Sequence, residues 1–534
     1  MAIVLIFSLA IRIRIAVLPV EYLANMHLMQ YKAGTVLLED SFYTLNIARN
    51  FALGKGLTHD GIHQTTGVQP LTMFLAASIY RFFPKDKHLP VHIYLCILAV
   101  VSVLSMLLAY GICRKAAGPY SGIAFLFFWA AAPGAIMQLN GLETTLSVFF
   151  NLLLLFFYQR YFFSEDNINP TVLQWFLMGI IAGLAVFARI DAMLWILALL
   201  ITLMIKKPKL LAHEIPKMLI GIAGAVLAYL PWLIISVYHT GRLYYDSGNA
   251  RKLIAKLLAN EPSSGIPDFR FFLENLKEMF RAMIEMHPLI SPWLTAPRIT
   301  IAGVVAASFF IIAVCIGGRK QIKFPLTLLI FTAWYSFIFV VIYVFFQYGR
   351  DFYHRYLASV IILTMMVCSI FITFFFSIIF QKQRKAVRIA LIAAFISVIP
   401  YVYYPMYDYL ALWESRVDYY QNRMYRFSGM AKWINQNIPH DALVGSFQTG
   451  QLSYFSNRTI INLDGIVNYD AYQAMKTGQM ADYVRTLNLK YLADWDVMIE
   501  KLLQNASVNP LKSSEMELIH RGYFTVYRLH TMNE

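Results

Sequence analysis

Apolar runs long enough to cross a bilayer dominate this chain and leave few architectures open. They lie near 2–20, 91–113, 118–138, 142–163, 172–188, 192–205, 216–239, 299–316, 324–346, 355–380 and 386–404. A hydrocarbon core is crossed by about 20 apolar residues in a helix, because every backbone polar group must be satisfied within the segment. The runs therefore predict a polytopic α-helical membrane protein with about eleven transmembrane helices. The run at 192–205 is short and draws on residues to either side. Residues 71–83 (LTMFLAASIYRFF) are apolar but too short to cross comfortably, and predict an interfacial or re-entrant helix.

Composition agrees. Only 14% of the residues are charged and 59% are hydrophobic, whereas a soluble domain carries about 25% charged residues. The formal charge of +15 raises nucleic acid as a partner. The basic residues argue against it, because they fall in short clusters between apolar runs, the pattern that orients a membrane protein. Cys96, Cys113, Cys315 and Cys368 lie in or at the ends of those runs, with neither metal-ligand nor disulfide spacing, and read as packing residues. Residues 1–20 have no basic n-region or small-residue cleavage site, so they read as an uncleaved span.

Four basic clusters occupy alternate connections: Arg114/Lys115, Lys206/Lys207/Lys209, Arg319/Lys320/Lys323 and Lys382/Arg384/Lys385/Arg388. With eleven spans all four share one side, which the positive-inside rule makes cytoplasmic. The outer side then receives residues 21–90, the turns at 139–141 and 189–191, residues 240–298 and 347–354, and everything after 404. Residues 1–404 form one membrane module and 405–534 a more polar, extracytoplasmic unit. In that unit ALVGSF (442–447), RTIINLDG (458–465) and YFTVYRL (523–529) predict strands. MAKWINQNI (430–438) and YDAYQAMKTGQMADYVRTL (469–487) predict helices, so a small α/β domain is expected.

The first outer loop is the most informative stretch. Glu39-Asp40 precede SFYTLNIARNFAL, an apolar-faced helix closed by Gly54 and Gly56. The bland reading makes Asp40 the helix cap, since a carboxylate there satisfies orphan N–H groups and the dipole. The same dipole would keep the carboxylate ionised and able to act as a base. Downstream, THDGIHQTTGVQPL (58–71) is dense in polar residues. His59, Asp60 and His63 match no strong metal-ligand spacing and read first as loop residues.

These segments, EDSFYTLNIARNFALGKGLTHDG and TTGVQPL, resemble the first external loop of GT-C fold glycosyltransferases. Those include protein O-mannosyltransferases, the lipid A aminoarabinose transferase and arabinofuranosyltransferases. NGLETTL (140–146), ARIDAML (188–194), FYHRYL (352–357) and FSNRTIINLDGIVN (455–468) extend the resemblance over most of the chain. It implies inverting transfer of a sugar from a polyprenyl-phosphate donor to a glycan, lipid or protein acceptor at the outer face of a cell membrane. It also implies that the acidic pair supplies the catalytic base. Many members have Asp at the first position of the pair, where this chain has Glu39, so either carboxylate can take the proton; the shorter, more rigidly held side chain favours Asp40. Some relatives use a divalent metal, but no ligand set in this chain demands one.

Elementary chemistry points the same way. A phosphate departs without protonation, so an inverting transfer needs one base beside the acceptor hydroxyl. It also needs cations around the phosphate, and the planar fork of Arg suits them. Arg355, His354 and Arg350 lie together at one outer span end, and Arg189 at another. Glu143 and Asp191 sit at outer span ends too, and His59, Asp60 and Gln69 in the loop complete the candidate substrate-binding set. Anchoring at the interface is the competing role for the basic residues, and a structural ion pair the competing role for Arg189–Asp191. Arg12 and Arg14, deeper in the first span, predict inward-facing partners for at least one of them. The rival class is a transporter or lipid-linked sugar flippase, but transporters show repeated halves and midplane charges. This chain has no visible repeat, and its acids gather at one face.

Overall fold

The computed structural model describes residues 1–25, 36–130, 139–162, 170–243, 247–259, 269–286, 325–346, 354–379 and 426–530. Up to residue 379 the described residues are helical. The order is α1 (Ala2–Ala16), α2 (Val20–Asn25), α3 (Glu39–Ala52), α4 (Pro70–Phe82), α5 (Leu89–Ala117), α6 (Pro119–Ala130) and α7 (Thr144–Tyr161). There follow α8 (Val172–Ala188), α9 (Ala192–Lys206), α10 (Pro208–Thr240), α11 (Ser247–Ala259), α12 (Phe269–Met286), α13 (Leu326–Phe346) and α14 (His354–Ile379).

Among the described residues four helices are long and apolar enough to cross a membrane, within Leu89–Ala117, Glu214–Thr240, Leu326–Phe345 and Arg355–Phe374. Three shorter apolar helices, Pro119–Ala130, Val172–Ala188 and Ala192–Lys206, accompany them. The expected number of eleven goes beyond this. The runs at 299–316 and 386–404 lie outside the described residues, as does Arg350. The first run is also shorter than expected. Its helix stops at Ala16, and the chain restarts as α2 just after Pro19, a residue suited to opening a helix and not to continuing one.

Charge inside the first helix is handled as expected. Arg12 is fully buried; its Nε donates to Ser102 Oγ of α5 at 3.1 Å, and its Nη1 to the Ser8 carbonyl at 3.1 Å. Arg14 is exposed.

Small residues bring α8 and α10 into backbone contact. A Cβ added at Gly179 would collide with the carbonyl of Gly221, and one at Gly183 would lie 2.8 Å from Ala228 Cβ. Within lipid such close approach is what holds helices together. It has a functional result, because α8 ends at Ala188 and α9 begins at Ala192. The whole connection is therefore Arg189-Ile190-Asp191, and its charged pair is held at a fixed height.

After residue 425 come α15 (Arg426–Asn437), β1 (Leu443–Ser446), α16 (Gly450–Phe455), β2 (Thr459–Asn462), α17 (Tyr469–Lys476), α18 (Met480–Thr486) and β3 (Tyr491–Asp494). A short helical segment, then β4 (Met516–Arg521) and β5 (Thr525–Leu529), complete the unit. The sheet order is β2-β1-β3-β5-β4, parallel across its first three strands and antiparallel across its last three. The helix expected over 469–487 is two helices, broken where Gly478 takes φ 73°, a left-handed conformation that glycine adopts without strain. The parallel strands end together at the segments 447–449 and 463–466, and this edge meets α3.

Candidate active site

α3 places two carboxyls in its first turn. Its N-cap is Leu38 in an extended conformation with no side-chain cap bond, and the helix begins at Glu39. The expectation that Asp40 caps the helix is therefore corrected. Asp40 sits two residues past the capping position, and its side chain turns away to Arg355, the second residue of α14. Arg355 Nη2 lies 2.5 Å from Asp40 Oδ2. The guanidinium is enclosed at 11% side-chain exposure, while Asp40 keeps 40%, so the carboxylate still offers an open edge.

Tyr356, the next residue, gathers the cations. Arg355 Nη2 donates to its hydroxyl at 2.9 Å, and Arg251 Nη1 of α11 donates to the same oxygen at 2.7 Å. The guanidinium carbons of Arg189 and Arg355 each lie 4.9 Å from its ring centroid, at cation–π distance. Three arginines, from the 189–191 turn, from α11 and from α14, thus converge on one tyrosine beside Asp40. Burial works to raise the Asp40 pKa, but the charges of Arg355 and Arg251 and the hydrogen bond from Arg355 outweigh it and hold the carboxyl below its ordinary value.

Glu39 faces the opposite way. Its Oε1 accepts from the Gln451 backbone N–H at 3.0 Å, at the start of α16. Oε2 is enclosed without a hydrogen-bond partner among the described residues. Burial, followed by repulsion from Asp40 and Asp464, raises its pKa to about 8 against the pull of the backbone hydrogen bonds from Gln451 and Gly450, which favours the protonated carboxyl. Next to it, Tyr43 donates to Asp464 Oδ2 at 3.1 Å and Asn46 Nδ2 to the Gly450 carbonyl at 3.0 Å.

The chain shares its architecture with solved structures. It superimposes on ArnT from Cupriavidus metallidurans bound to undecaprenyl phosphate with a TM-score of 0.54 at 13% identity, covering 98% of this chain and 97% of that one. The apo state of the same protein gives 0.52 at 12% identity over the same shares. The Archaeoglobus fulgidus oligosaccharyltransferase tethered with an acceptor peptide gives 0.52 at 14% identity, over 93% of this chain and 69% of that one. The chain has the GT-C fold. Residues 414–530 match the family described as a domain of unknown function, DUF8728. No curated protein matches the chain.

Within this GT-C chain the other sequence candidates divide. Arg189, Asp191 and Glu143 come together: Arg189 Nη1 is 2.5 Å from Glu143 Oε1 and its Nε 2.7 Å from Asp191 Oδ2. Tyr343 of α13 closes the network, accepting from Arg189 at 3.1 Å and donating to Asp191 at 2.5 Å. Arg189 is thus the second layer behind Tyr356, tied in place by two acids. His59 and Asp60 are placed elsewhere. Asp60 Oδ1 accepts from the N–H groups of Ile62 and His63, each at 2.8 Å, and its Oδ2 lies 2.7 Å from His63 Nδ1. That is a self-closing loop. His59 Nε2 meets Ser453 of α16 at 3.0 Å, and burial depresses its pKa to about 4, leaving it neutral. Gln69 stands half-buried at the N-cap of α4, with no side-chain cap bond. His354 opens α14. Among the described residues no group of three or more His, Cys, Asp or Glu side chains is arranged to hold a metal.

Sequence reasoning missed Arg251, Tyr356, Tyr43 and Asp464. Tyr356 and Asp464 stand inside segments already singled out, FYHRYL and FSNRTIINLDGIVN. Arg251 lies in SGNARKLIAKLLA, a basic amphipathic helix whose apolar residues Leu253, Ile254 and Leu258 pack on the C-terminal core. That face fixes which way Arg251 points, and its periodicity was the available signal.

Proposed function

We propose that this protein moves a sugar from a polyprenyl-phosphate donor to an acceptor on the outer face of the membrane, with inversion at the anomeric carbon. The observation that carries the reading is Asp40, ionised and half-exposed, in contact with an arginine cluster at the end of a span. An acceptor hydroxyl beside Asp40 attacks the anomeric carbon while its proton passes to the carboxylate. The bond from that carbon to the phosphate oxygen breaks, and the polyprenyl phosphate leaves with the electron pair. Arg355 and Arg251 take up the charge that grows on the leaving phosphate, in a site where enclosure strengthens the interaction. Arg189, held by Glu143 and Asp191, steadies the Tyr356 ring from behind. The polyprenyl chain runs along the apolar flank of α14. ArnT, the structural neighbour that binds undecaprenyl phosphate, supports the donor class; the sugar and the acceptor are open to a donor and acceptor screen.

The test is transfer by the full chain in lipid nanodiscs, supplied with a panel of radiolabelled polyprenyl-phosphate sugars and an envelope lipid and glycan extract. Consumption of one donor by the parent chain, lost in Asp40→Asn, is the expected result. Consumption of none would remove the reading. Orientation is checked in a cysteine-free background. Cysteines at the exposed positions 55 and 457, and one at 270, should react with an impermeant thiol reagent on intact cells, and one at 320 should not.

A further inference from the structure

The outer loop and the C-terminal unit meet through a concentrated set of contacts, and most of them fall on one helix. α16 supplies the Gln451 N–H to Glu39, the Gly450 carbonyl to Asn46, Ser453 to His59, and Tyr454 to Phe42 with ring centroids 5.0 Å apart. Gln451 Nε2 reaches on to the Ala24 carbonyl of α2 at 3.4 Å. Gly450 lies so close to α3 that an added Cβ would stand 2.8 Å from Glu39 Oε1 and would also strike the Glu39 backbone. Its φ is not left-handed, so the reason for glycine here is closeness and not turn geometry.

The geometry points to Glu39 as a positioning residue: the anchor through which the C-terminal unit fixes the first turn of α3, and so sets Asp40 against Arg355. This rests on the function proposed above, and gives the domain at 414–530 a role in that site. A carboxyl at N1 and a carboxyl at N2 leave a helix in different directions, so one can be held while the other works. The held one favours its neutral form, because it is enclosed near Asp40 and Tyr43 of its own helix and Asp464 of the C-terminal unit, and among the described residues the charged groups named as acting on it are acids. Asp464 is likewise raised by burial, to about 7. Docked Glu39 keeps its proton to about pH 8, whereas an undocked, solvated glutamate loses it near pH 4.3. Docking is therefore strongest in acid and weakens as pH rises across that interval.

The experiment uses the full chain in nanodiscs, with two readouts: hydrogen-exchange protection of the peptides covering 39–45 and 449–455, and donor-dependence curves from pH 6 to 9. Gly450→Ala is expected to cut protection of both peptides more than tenfold and to lower kcat about tenfold, with donor KM within twofold of the parent. Glu39→Gln keeps the carbonyl acceptor without the titration. It should hold transfer at pH 7 within threefold and abolish the loss of protection that the parent shows on going from pH 6 to 9. Two results overturn the proposal. One is intact protection and kcat in Gly450→Ala. The other is a Glu39→Gln chain that keeps its protection but transfers no sugar, which would make Glu39 the base. A parent chain that consumes no donor would sink the proposed function alone, and the exchange data would still decide the anchor.

Discussion

Glu39 and Asp40 are neighbours on one helix turn and share a chemistry, yet their surroundings give them opposite states. Asp40 looks into a field of arginines and stays charged, with an edge open to solvent. Glu39 looks into a backbone amide and a second acid, and stays neutral. Burial acts on both in the same direction, and the sign of the outcome is set by what else is within reach: two guanidiniums for one, another carboxyl for the other. An acidic pair in sequence is therefore not an acidic pair in function. Environment divides it into an open, charged carboxylate and an enclosed one held by a backbone amide, the two states that the proposed base and the proposed anchor require.

The comparison can be broken most directly by Asp40→Asn. Transfer should fall by about 10²–10⁴-fold, the range for removing a general base, with expression and thermal stability retained. A chain that keeps full turnover would place the base elsewhere. Next in size is the ionic layer behind the site. Glu143→Ala leaves Arg189 with one fewer counter-ion in an enclosed position, and breaking a buried pair costs about 3–5 kcal/mol. It should appear as a large drop in the midpoint of thermal unfolding in detergent. A midpoint within a degree of the parent would show the network to be dispensable. Arg355→Lys replaces a planar fork by a point charge, so donor use should weaken about tenfold, equivalent to about 1.4 kcal/mol. Arg251→Lys should do less, since Arg251 reaches the cluster through Tyr356 and stands further from Asp40. Equal effects would mean the two arginines bind the phosphate symmetrically. A further test is a slope. Glu39 at about 8 and Asp464 at about 7 both hold protons that the unfolded chain has lost. Stability should therefore fall gradually as pH rises from about 4 to 8. The Glu39→Gln/Asp464→Asn double variant should flatten that slope, and a scanning fluorimetry series would read it.

Much of this was legible in the sequence, and the unread parts have physical reasons. The apolar runs, the helix after Glu39-Asp40, the polar loop from Thr58 and three strands of the C-terminal unit follow from local pattern alone. β3 was missed because Tyr491–Asp494 is four residues buried throughout, with no alternation to mark it. β4 was missed because its edge position leaves polar residues on both sides of Met516–Arg521. Arg355 was readable as a candidate from its span end, but its partner lies 315 residues away, and no local pattern carries such a pairing. His59 and Asp60 show the opposite error. Their polarity drew them into the candidate set, whereas Asp60 closes its own loop and His59 turns to α16.

The bond between Glu39 and Gln451 joins positions 412 residues apart. A ribosome adding about 5–20 residues per second reaches the second of them about 20–80 seconds after the first. Through that interval the nascent chain already carries the helix with Asp40, threaded beside the lipid, but nothing to clasp its first turn. The fastening becomes available only after the membrane helices have been made, so the order of translation itself delays completion of the site until the unit that carries Gln451 has emerged.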